Sequence, residues 1–331
     1  MDLTPAPLVL AAAALVLLLP LAAAVALAGC GTGASGVSAA SPSAAAIAAA
    51  AGVPGAGEVL TDLAYAGDSP SQKLDLYLPA AGEAPYPVIL AIHGGGFISG
   101  DKADGQITPV LEALSRGYAV AGVNYRLSGE ATFPAAISDV KTAIRWLRAH
   151  AAEYQLDPSR VAAWGHSAGG NLAALAGTSG NLPALRGPHP ANAGQSDGLQ
   201  AVVDWYGPIS FLRTDRDFRT AGFKRPSAAG PRSFLSLYLG APLTEVPGKV
   251  KAADPITYIT PDDPPTLIEH GAADGIVPYP QSERFAEAMA ERAGPSRVTL
   301  RILPGAGHVD PVFFSPEHVD SVLDWLDRQL R

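Results

Sequence analysis

The stretch WGHSAGG, residues 164–170, decides the fold because it places one serine inside the pattern G-x-S-x-G between two differently patterned segments. Residues 160–164, before the serine, form a short and mostly apolar run that is typical of a buried strand. Residues 172–176, after it, are Leu and Ala and favour a helix. So sharp a strand-to-helix turn needs small neighbours and would hold the Ser167 hydroxyl out of the sheet as a candidate nucleophile. A chance match in a Gly- and Ala-rich chain is the alternative.

A second glycine-rich segment precedes this turn. HGGGF at residues 93–97 ends the apolar run at residues 87–92, which predicts a strand. Successive glycines leave backbone N–H groups unshielded, so these groups can approach a substrate oxygen that becomes negatively charged. The helix after Ser167 directs its own free N–H groups to the same place. The two segments together predict an oxyanion hole.

An acid and a base follow further along the chain. Residues 266–270 predict a strand, and the turn after it presents Asp274 as the candidate acid. Residues 298–303 predict the last strand, and the loop after it carries His308 as the candidate base. Each group lies just beyond the carboxyl end of a strand, and the order Ser167, Asp274, His308 is that of an α/β-hydrolase. The glycine-rich segment, Ser167, Asp274 and His308 occur in the expected order along the chain, and these four matches argue against chance.

Seven short motifs carry a wider resemblance: HGGGF at 93–97, NYR at 124–126, DPSRV at 157–161, GHSAGG at 165–170, DWYGP at 204–208, HGAADGIVP at 270–278 and GAGH at 305–308. Together they resemble the esterase and lipase branch of the α/β-hydrolases. More narrowly, they resemble bacterial enzymes of the hormone-sensitive-lipase-like and BD-FAE (feruloyl and acetyl-xylan esterase-like) types. The resemblance covers roughly residues 58 to 331. It implies that Gly95, Gly96 and Ala168 supply the oxyanion-hole N–H groups.

The acid has rivals in the sequence, namely Asp262, Asp263 and Asp310. Asp274 is preferred because it alone follows a clear strand with the flanking residues of the resembled family. Phe97, Trp205 and Tyr206 lie close to these loops and are candidate substrate-pocket residues, with ordinary packing as the alternative.

The order of strand-like and helix-like segments predicts the fold class. Two alternating segments separated by a turn predict an antiparallel hairpin at the start of the domain, and strands then alternate with helices. We expect an α/β-hydrolase fold: a mostly parallel eight-stranded sheet with helices on both faces. Residues 209–260 interrupt the alternation and predict a small cap-like insertion. Residues 178–198 predict a long loop on the side of the active site.

The amino terminus is patterned differently. Residues 7–29 are almost uninterrupted Ala, Leu and Val, and the run ends at Cys30 in a pattern that resembles a bacterial lipobox. We expect residues 1–30 to be a lipoprotein-type signal peptide, with Cys30 acylated so that the protein is anchored outside the cytoplasm to the cell membrane. The run is also long enough to span a bilayer, and the first seven residues lack Lys and Arg. A transmembrane anchor, or a cytoplasmic protein with a misplaced start, therefore remains an alternative.

Residues 31–57 are mostly Ala, Ser and Gly without charge and predict a flexible tether, which leaves residues 58–331 as the catalytic domain. The net charge of −8 argues against nucleic acid as a partner. No histidine outside the motifs has a partner at metal-ligand spacing, so we expect neither metal nor cofactor. Arg126 is expected to form a structural ion pair.

The function predicted from these observations is serine carboxylic-ester hydrolysis through an acyl-enzyme on Ser167, on short-chain acyl or aryl esters. The substrate would be a small molecule or an ester linked to a polysaccharide. Two alternatives stay open. One is a serine peptidase of the prolyl-oligopeptidase type, which would usually add a large propeller. The other is a non-catalytic, membrane-tethered binding protein on a hydrolase fold.

Overall fold

The computed structural model describes residues 52–187, 192–224 and 230–331. The expected signal peptide, Cys30 and most of the expected tether lie outside these ranges. Within them, every helix is too short or too polar to cross a bilayer.

Eight strands among the described residues are hydrogen-bonded into a single sheet: β1 Ala56–Ala64, β2 Lys73–Pro79, β3 Tyr86–Ile92, β4 Ala119–Val123, β5 Leu156–His166, β6 Ala201–Trp205, β7 Thr266–Gly271 and β8 Val298–Leu303. Their order across the sheet is β1-β2-β4-β3-β5-β6-β7-β8. Strand β2 runs antiparallel to both of its neighbours, and every other pairing is parallel. The expected mostly parallel sheet is confirmed.

Helices cover both faces of this sheet. The described α-helices are α1 Thr108–Leu111, α2 Ala135–Ala149, α3 Ala168–Thr178, α4 Thr214–Thr220, α5 Phe234–Leu239, α6 Pro247–Ala253, α7 Pro280–Arg292 and α8 Pro316–Leu330. Helices α2 and α3 share a core cluster with Val88 and Leu90 of β3. Helices α1 and α8 share another with Ile89 and Ala91, which point to the opposite face. The alternation of side chains along one strand thus separates the two layers of helices.

Burial differs between the central and the edge strands, as their sequences predict. Strand β3 reads YPVILAI, and every side chain after the first is buried, because parallel neighbours and two layers of helices enclose it. Strand β1 lies at the edge, and four of its nine residues are exposed while only Val59 is buried. The long apolar run therefore marks the strand that leads to the oxyanion loop.

The first strand begins slightly earlier than the sequence indicates. Strand β1 starts at Ala56, which pairs with Pro79 of β2, whereas the tether was expected to extend through Gly57. The N–H of Ala80 also donates to the carbonyl of Gly55 at 2.8 Å. Backbone hydrogen bonds need no side-chain signal, so an Ala and Gly segment can pair with an edge strand without showing a strand pattern.

The connection from β6 to β7 contains α4, α5 and α6, in the place expected for the cap-like insertion. Its buried side chains Phe211, Leu235 and Tyr238 belong to the same core cluster as Phe97 of the glycine-rich loop. The insertion therefore packs directly onto the domain and has no separate apolar core among its described residues.

The two ends of the predicted loop at residues 178–198 lie away from the active site, contrary to the expectation. Helix α3 starts at the carboxyl end of β5 and ends at Thr178, near the opposite edge of the sheet. Residues 196–198 also lie at that edge, where Arg148 donates to the carbonyls of Ser196 and Gly198 at 2.8 and 2.6 Å. Residues 185–187 extend instead along α2 toward its start, since Ser138 Oγ donates to the carbonyl of Leu185 at 3.4 Å. Composition identified a loop correctly, but the direction of α3 decides on which side that loop lies.

The expected structural role of Arg126 is confirmed. Its Nε and Nη2 donate to the two carboxylate oxygens of Asp139 at 2.8 and 2.7 Å. Gln72 Nε2 donates to the same carboxylate at 2.8 Å, and Asp139 is buried. The pair ties the end of β4 to helix α2, because Arg126 follows that strand and Asp139 lies on the helix.

Arg126→Met should lower the free energy of unfolding by roughly 3 kcal/mol, because it leaves the Asp139 carboxylate buried without its cation. Arg160→Met is the matched control, since Arg160 pairs with Asp157 at 2.6 Å in a more exposed position, and it should cost less than about 1 kcal/mol. Urea denaturation of the two variants measures the difference. Equal losses would contradict the structural role assigned to Arg126.

Candidate active site

Ser167 lies on a strained turn between β5 and α3. Its φ is 54° and its ψ is −117°, a conformation that a non-glycine residue adopts only when its surroundings enforce it. The N–H of Ser167 donates to the carbonyl of Trp205 at 2.8 Å, and the N–H of Asn171 donates to the carbonyl of Ser167 at 3.1 Å. These two bonds fix the turn from the sheet side and from the helix side.

The two glycines that flank Ser167 are required by the close approach of the backbone. A Cβ on Gly165 would lie 1.9 Å from the carbonyl oxygen of Gly169, and a Cβ on Gly169 would lie 2.1 Å from that of Ile92. Both distances are far below contact. The spacing of glycines in G-x-S-x-G thus follows from the packing of the helix start against β3 and β5.

Ser167, His308 and Asp274 form one hydrogen-bonded chain. The distance from Ser167 Oγ to His308 Nε2 is 2.9 Å, and the distance from His308 Nδ1 to Asp274 Oδ2 is 2.6 Å. A carboxylate accepts hydrogen bonds, so Nδ1 carries the imidazole proton and Nε2 accepts from the serine hydroxyl. Three residues separated widely in sequence meet because the strands before them, β5, β7 and β8, end at the same edge of the sheet.

The carboxylate of Asp274 accepts four hydrogen bonds. Oδ1 accepts from the N–H groups of Ile276 and Val277 at 2.7 and 2.9 Å, and Oδ2 accepts from His308 and from His270 Nε2 at 3.1 Å. Burial acts to raise the pKa of Asp274, but the hydrogen bonds from His270 and His308 outweigh it and hold the pKa below its usual value. Asp274 is therefore ionised at neutral pH.

The glycine-rich loop presents free donors beside Ser167. Gly95 and Gly96 have φ values of 107° and 61°. The N–H of Gly94 is occupied, since it donates to Gln106 Oε1 at 2.9 Å. Among the described residues, the N–H groups of Gly95, Gly96 and Ala168 donate to no protein acceptor. The three residues expected to form the oxyanion hole thus keep their donors available.

His93 braces this loop from behind, as its position predicts. Its ring stacks on that of Tyr125 with centroids 4.4 Å apart, and its Nδ1 lies 2.7 Å from the carbonyl of Gly94. Tyr125 Oη donates to the carbonyl of His93 at 3.0 Å. Burial lowers the pKa of His93, so the ring is neutral and donates through Nδ1.

The structure does not support the pocket expected at Phe97, Trp205 and Tyr206. All three side chains are closed to solvent. Phe97 stacks on Tyr238 with centroids 3.8 Å apart, and the ring of Tyr206 packs edge-on against His308 at 4.8 Å. Because loops and the insertion cover them, these aromatic residues support the catalytic loops from beneath and do not line the opening.

The surface around the site is lined by apolar residues that the sequence did not single out. Ile98 follows the glycine-rich loop, Ile276 comes two residues after Asp274, and Val309 follows His308. These three residues are 48%, 42% and 44% exposed. Phe234 of α5 also adjoins the loop, because a Cβ on Gly96 would lie 3.3 Å from its Cβ. No sequence period marks these residues.

Two polar residues in the site were also missed. Gln106 holds the N–H of Gly94, and His270 donates to Asp274. His270 lies in the HGAAD motif, four residues before the acid, and this spacing was the available signal. The side chain of Gln106 reaches the loop from a segment with no motif.

The described residues contain no group of three or more His, Cys, Asp or Glu side chains that could hold a metal ion. His189, one of the histidines weighed from the sequence, lies outside the described residues. The side chains of Ser167, His308 and Asp274 supply the nucleophile, the base and the acid that acyl transfer requires.

Comparisons with known proteins agree with this geometry. The model of the BD-FAE family matches residues 74–289. Esterase LipC of Mycobacterium tuberculosis is 32% identical over 73% of this chain and 58% of its own length. The probable carboxylic ester hydrolase LipM of the same organism is 31% identical over 70% of this chain and 51% of its own length. The chain thus spans about half the length of these curated relatives.

Among solved structures, a truncated carbohydrate esterase from gut microbiota has a TM-score of 0.74 and 31% identity, over 83% of this chain and 97% of that one. Esterase Est2 of Thermogutta terrifontis with propionate bound has a TM-score of 0.61 and 29% identity, over 83% and 93%. The family model covers well over half of the sequence, and the chain belongs to the BD-FAE family.

Proposed function

We propose that this protein is a serine carboxylic-ester hydrolase that works through an acyl-enzyme on Ser167. The observation that carries the proposal is the hydrogen-bonded chain of Ser167, His308 and Asp274 beside three unoccupied backbone donors. The esterase names of its relatives support the same reaction class.

In the first half-reaction Ser167 Oγ attacks the ester carbonyl carbon while its proton moves to His308 Nε2. Since Nε2 lies 2.9 Å from Oγ, this transfer needs no rearrangement. His308 then gives the proton to the departing alcohol oxygen as the bond between carbonyl carbon and that oxygen breaks. The product is an ester between the acyl group and Ser167.

Water completes the cycle by the same steps. His308 accepts a proton from water as the oxygen attacks the acyl carbon, and it returns that proton to Ser167 Oγ when the carboxylic acid leaves. Asp274 keeps the imidazole in the tautomer with its proton on Nδ1 and stabilises the imidazolium in both halves, because its carboxylate is ionised.

The negative charge that develops on the carbonyl oxygen would be received by the N–H groups of Gly95, Gly96 and Ala168. These donors are fixed before substrate binds, since the Gly94 bond to Gln106 and the stack of His93 on Tyr125 hold the loop. Losing one such donor typically costs on the order of 10²–10³ in turnover.

For the substrate we propose a short-chain acyl or aryl ester, free or attached to a polysaccharide. The exposed apolar side chains of Ile98, Ile276 and Val309 favour a substrate with an apolar group. One structural relative is described as a carbohydrate esterase, and another binds propionate or butyrate. A series of p-nitrophenyl esters of increasing acyl length, with methyl ferulate and acetylated xylan, would contradict the proposal if long acyl chains were preferred.

We further propose that the enzyme is attached outside the cytoplasm through acylated Cys30, on the strength of the apolar run that precedes this residue. Mass spectrometry of the amino-terminal peptide from membranes tests this. An acylated peptide that starts at Cys30 supports lipid anchoring, whereas an intact apolar run supports the transmembrane alternative.

Ser167→Ala should reduce turnover of p-nitrophenyl acetate by at least about 10⁴-fold, because no other group can form the acyl-enzyme. A fluorophosphonate should label the wild type and fail to label this variant. Ser159→Ala is the control, since Ser159 is an exposed serine whose hydroxyl donates to Asp157 Oδ1 at 2.6 Å, and it should keep full activity. Undiminished turnover by Ser167→Ala would reject the serine mechanism and favour the binding-protein alternative.

Asp274→Asn should lower kcat by roughly 10³- to 10⁴-fold, because the amide cannot stabilise the His308 imidazolium and disturbs the tautomer. Asp310→Asn should cost less than about tenfold, since the half-buried Asp310 caps the N–H groups of Gly307 and Val312 and makes no hydrogen bond to His308 among the described residues. Steady-state kinetics of the two variants compares them. A larger loss for Asp310→Asn would move the acid to that residue.

A further inference from the structure

His270 is a second histidine on the carboxylate of Asp274. Its Nε2 lies 3.1 Å from Asp274 Oδ2 and 2.9 Å from the carbonyl oxygen of Val277. Its Nδ1 lies 2.6 Å from Ser282 Oγ on helix α7. The ring is fully buried, and both of its nitrogens have hydrogen-bond partners in the protein.

These contacts fix the protonation of His270. Both partners of Nε2 are acceptors, a carboxylate oxygen and a carbonyl oxygen, so Nε2 must carry a proton and donate. Ser282 Oγ can donate its own proton to Nδ1, which leaves the ring neutral with a single proton on Nε2. The catalytic acid thus has one neighbouring imidazole on each side of Oδ2, and both donate to the same oxygen.

We propose that His270 is a positioning residue that sets the strength with which Asp274 holds His308. The inference rests on the proposed serine-hydrolase function and adds to it a residue that never touches substrate. By donating to Oδ2, His270 withdraws negative charge from the oxygen that accepts the His308 proton. It also prevents the carboxylate from rotating, since the N–H groups of Ile276 and Val277 already hold Oδ1.

Few other ionisable groups face His270. Asp204 on β6 is fully buried and interacts electrostatically with His270. Burial raises the pKa of Asp204 to about 6, whereas the N–H of Gly207 acts to lower it. His308 faces His270 through the shared Asp274. Any pH effect of changing His270 must therefore be read against Asp204, Asp274 and His308.

The direction of the pH effect follows from electrostatics. Without the His270 donor, Asp274 Oδ2 carries more negative charge and stabilises the His308 imidazolium more strongly. The imidazolium form of His308 should then be favoured over the neutral ring. Because His308 must be neutral to accept the serine proton, the acidic limb of kcat/KM should move to higher pH.

Two amide substitutions separate positioning from simple packing. In His270→Gln the amide nitrogen can reach the place of Nε2 and still donate to Asp274. In His270→Asn the shorter amide reaches only the place of Nδ1. We expect kcat roughly tenfold or more lower in His270→Asn with KM little changed, and an acidic limb shifted upward by roughly half a pH unit or more. His270→Gln should restore both values to near those of the wild type.

His318→Asn is the matched control. His318 Nε2 lies 2.9 Å from the buried carboxylate of Glu269 at the same strand, β7, but this pair makes no hydrogen bond to Ser167, His308 or Asp274. Its substitution should lower stability without moving the acidic limb. Equal shifts in His270→Asn and His318→Asn would overturn the proposal in favour of a general packing effect.

A measurement on the wild type does not depend on whether the variants fold. Nitrogen-15 NMR of the histidine rings should find His270 protonated at Nε2 and unprotonated at Nδ1 at neutral pH. The opposite tautomer would overturn the proposal. If Ser167→Ala stays active, the serine mechanism itself fails; if Ser167→Ala is inactive and His270→Asn matches the wild type, only the role of His270 fails.

Discussion

The close approach of the backbone around Ser167 is the constraint on which the site depends. Helix α3 begins so near β3 and β5 that neither Gly165 nor Gly169 has room for a Cβ. This packing forces Ser167 into a positive φ and aims the first N–H groups of α3 at the space above its hydroxyl. The same contact sets the glycine-rich loop beside the serine, because the carbonyl that approaches Gly169 belongs to Ile92, the last residue of β3.

The second requirement is a buried carboxylate that stays ionised. Four accepted hydrogen bonds offset the cost of burying the Asp274 carboxylate, two from backbone N–H groups and two from imidazoles. These bonds also fix its orientation, so that Oδ2 faces His308 at 2.6 Å. The position of His308 is limited further by the ring of Tyr206 beneath it. The site is therefore rigid before any substrate arrives, as electrostatic stabilisation of a transition state requires.

Motifs that encode backbone geometry could be predicted from the sequence, because glycine spacing and strand ends leave direct marks. The eight-stranded sheet, the oxyanion loop and the meeting of Ser167, Asp274 and His308 all follow from such marks. Contacts that depend on the direction of an element could not be predicted. The two ends of the loop at residues 178–198 were placed on the wrong side because composition does not reveal where α3 ends. Trp205 and Tyr206 were taken for pocket residues because the sequence does not show that other loops cover them.

The central claim is that a covalent acyl group forms on Ser167. Rapid quenching of the enzyme with p-nitrophenyl butyrate, followed by trypsin digestion and mass spectrometry, tests it directly. The account predicts that the peptide of residues 161–186 gains the mass of one butyryl group, and that fragmentation assigns this group to Ser167. Ester turnover with that peptide unmodified, or with the acyl group on another residue, would contradict the account.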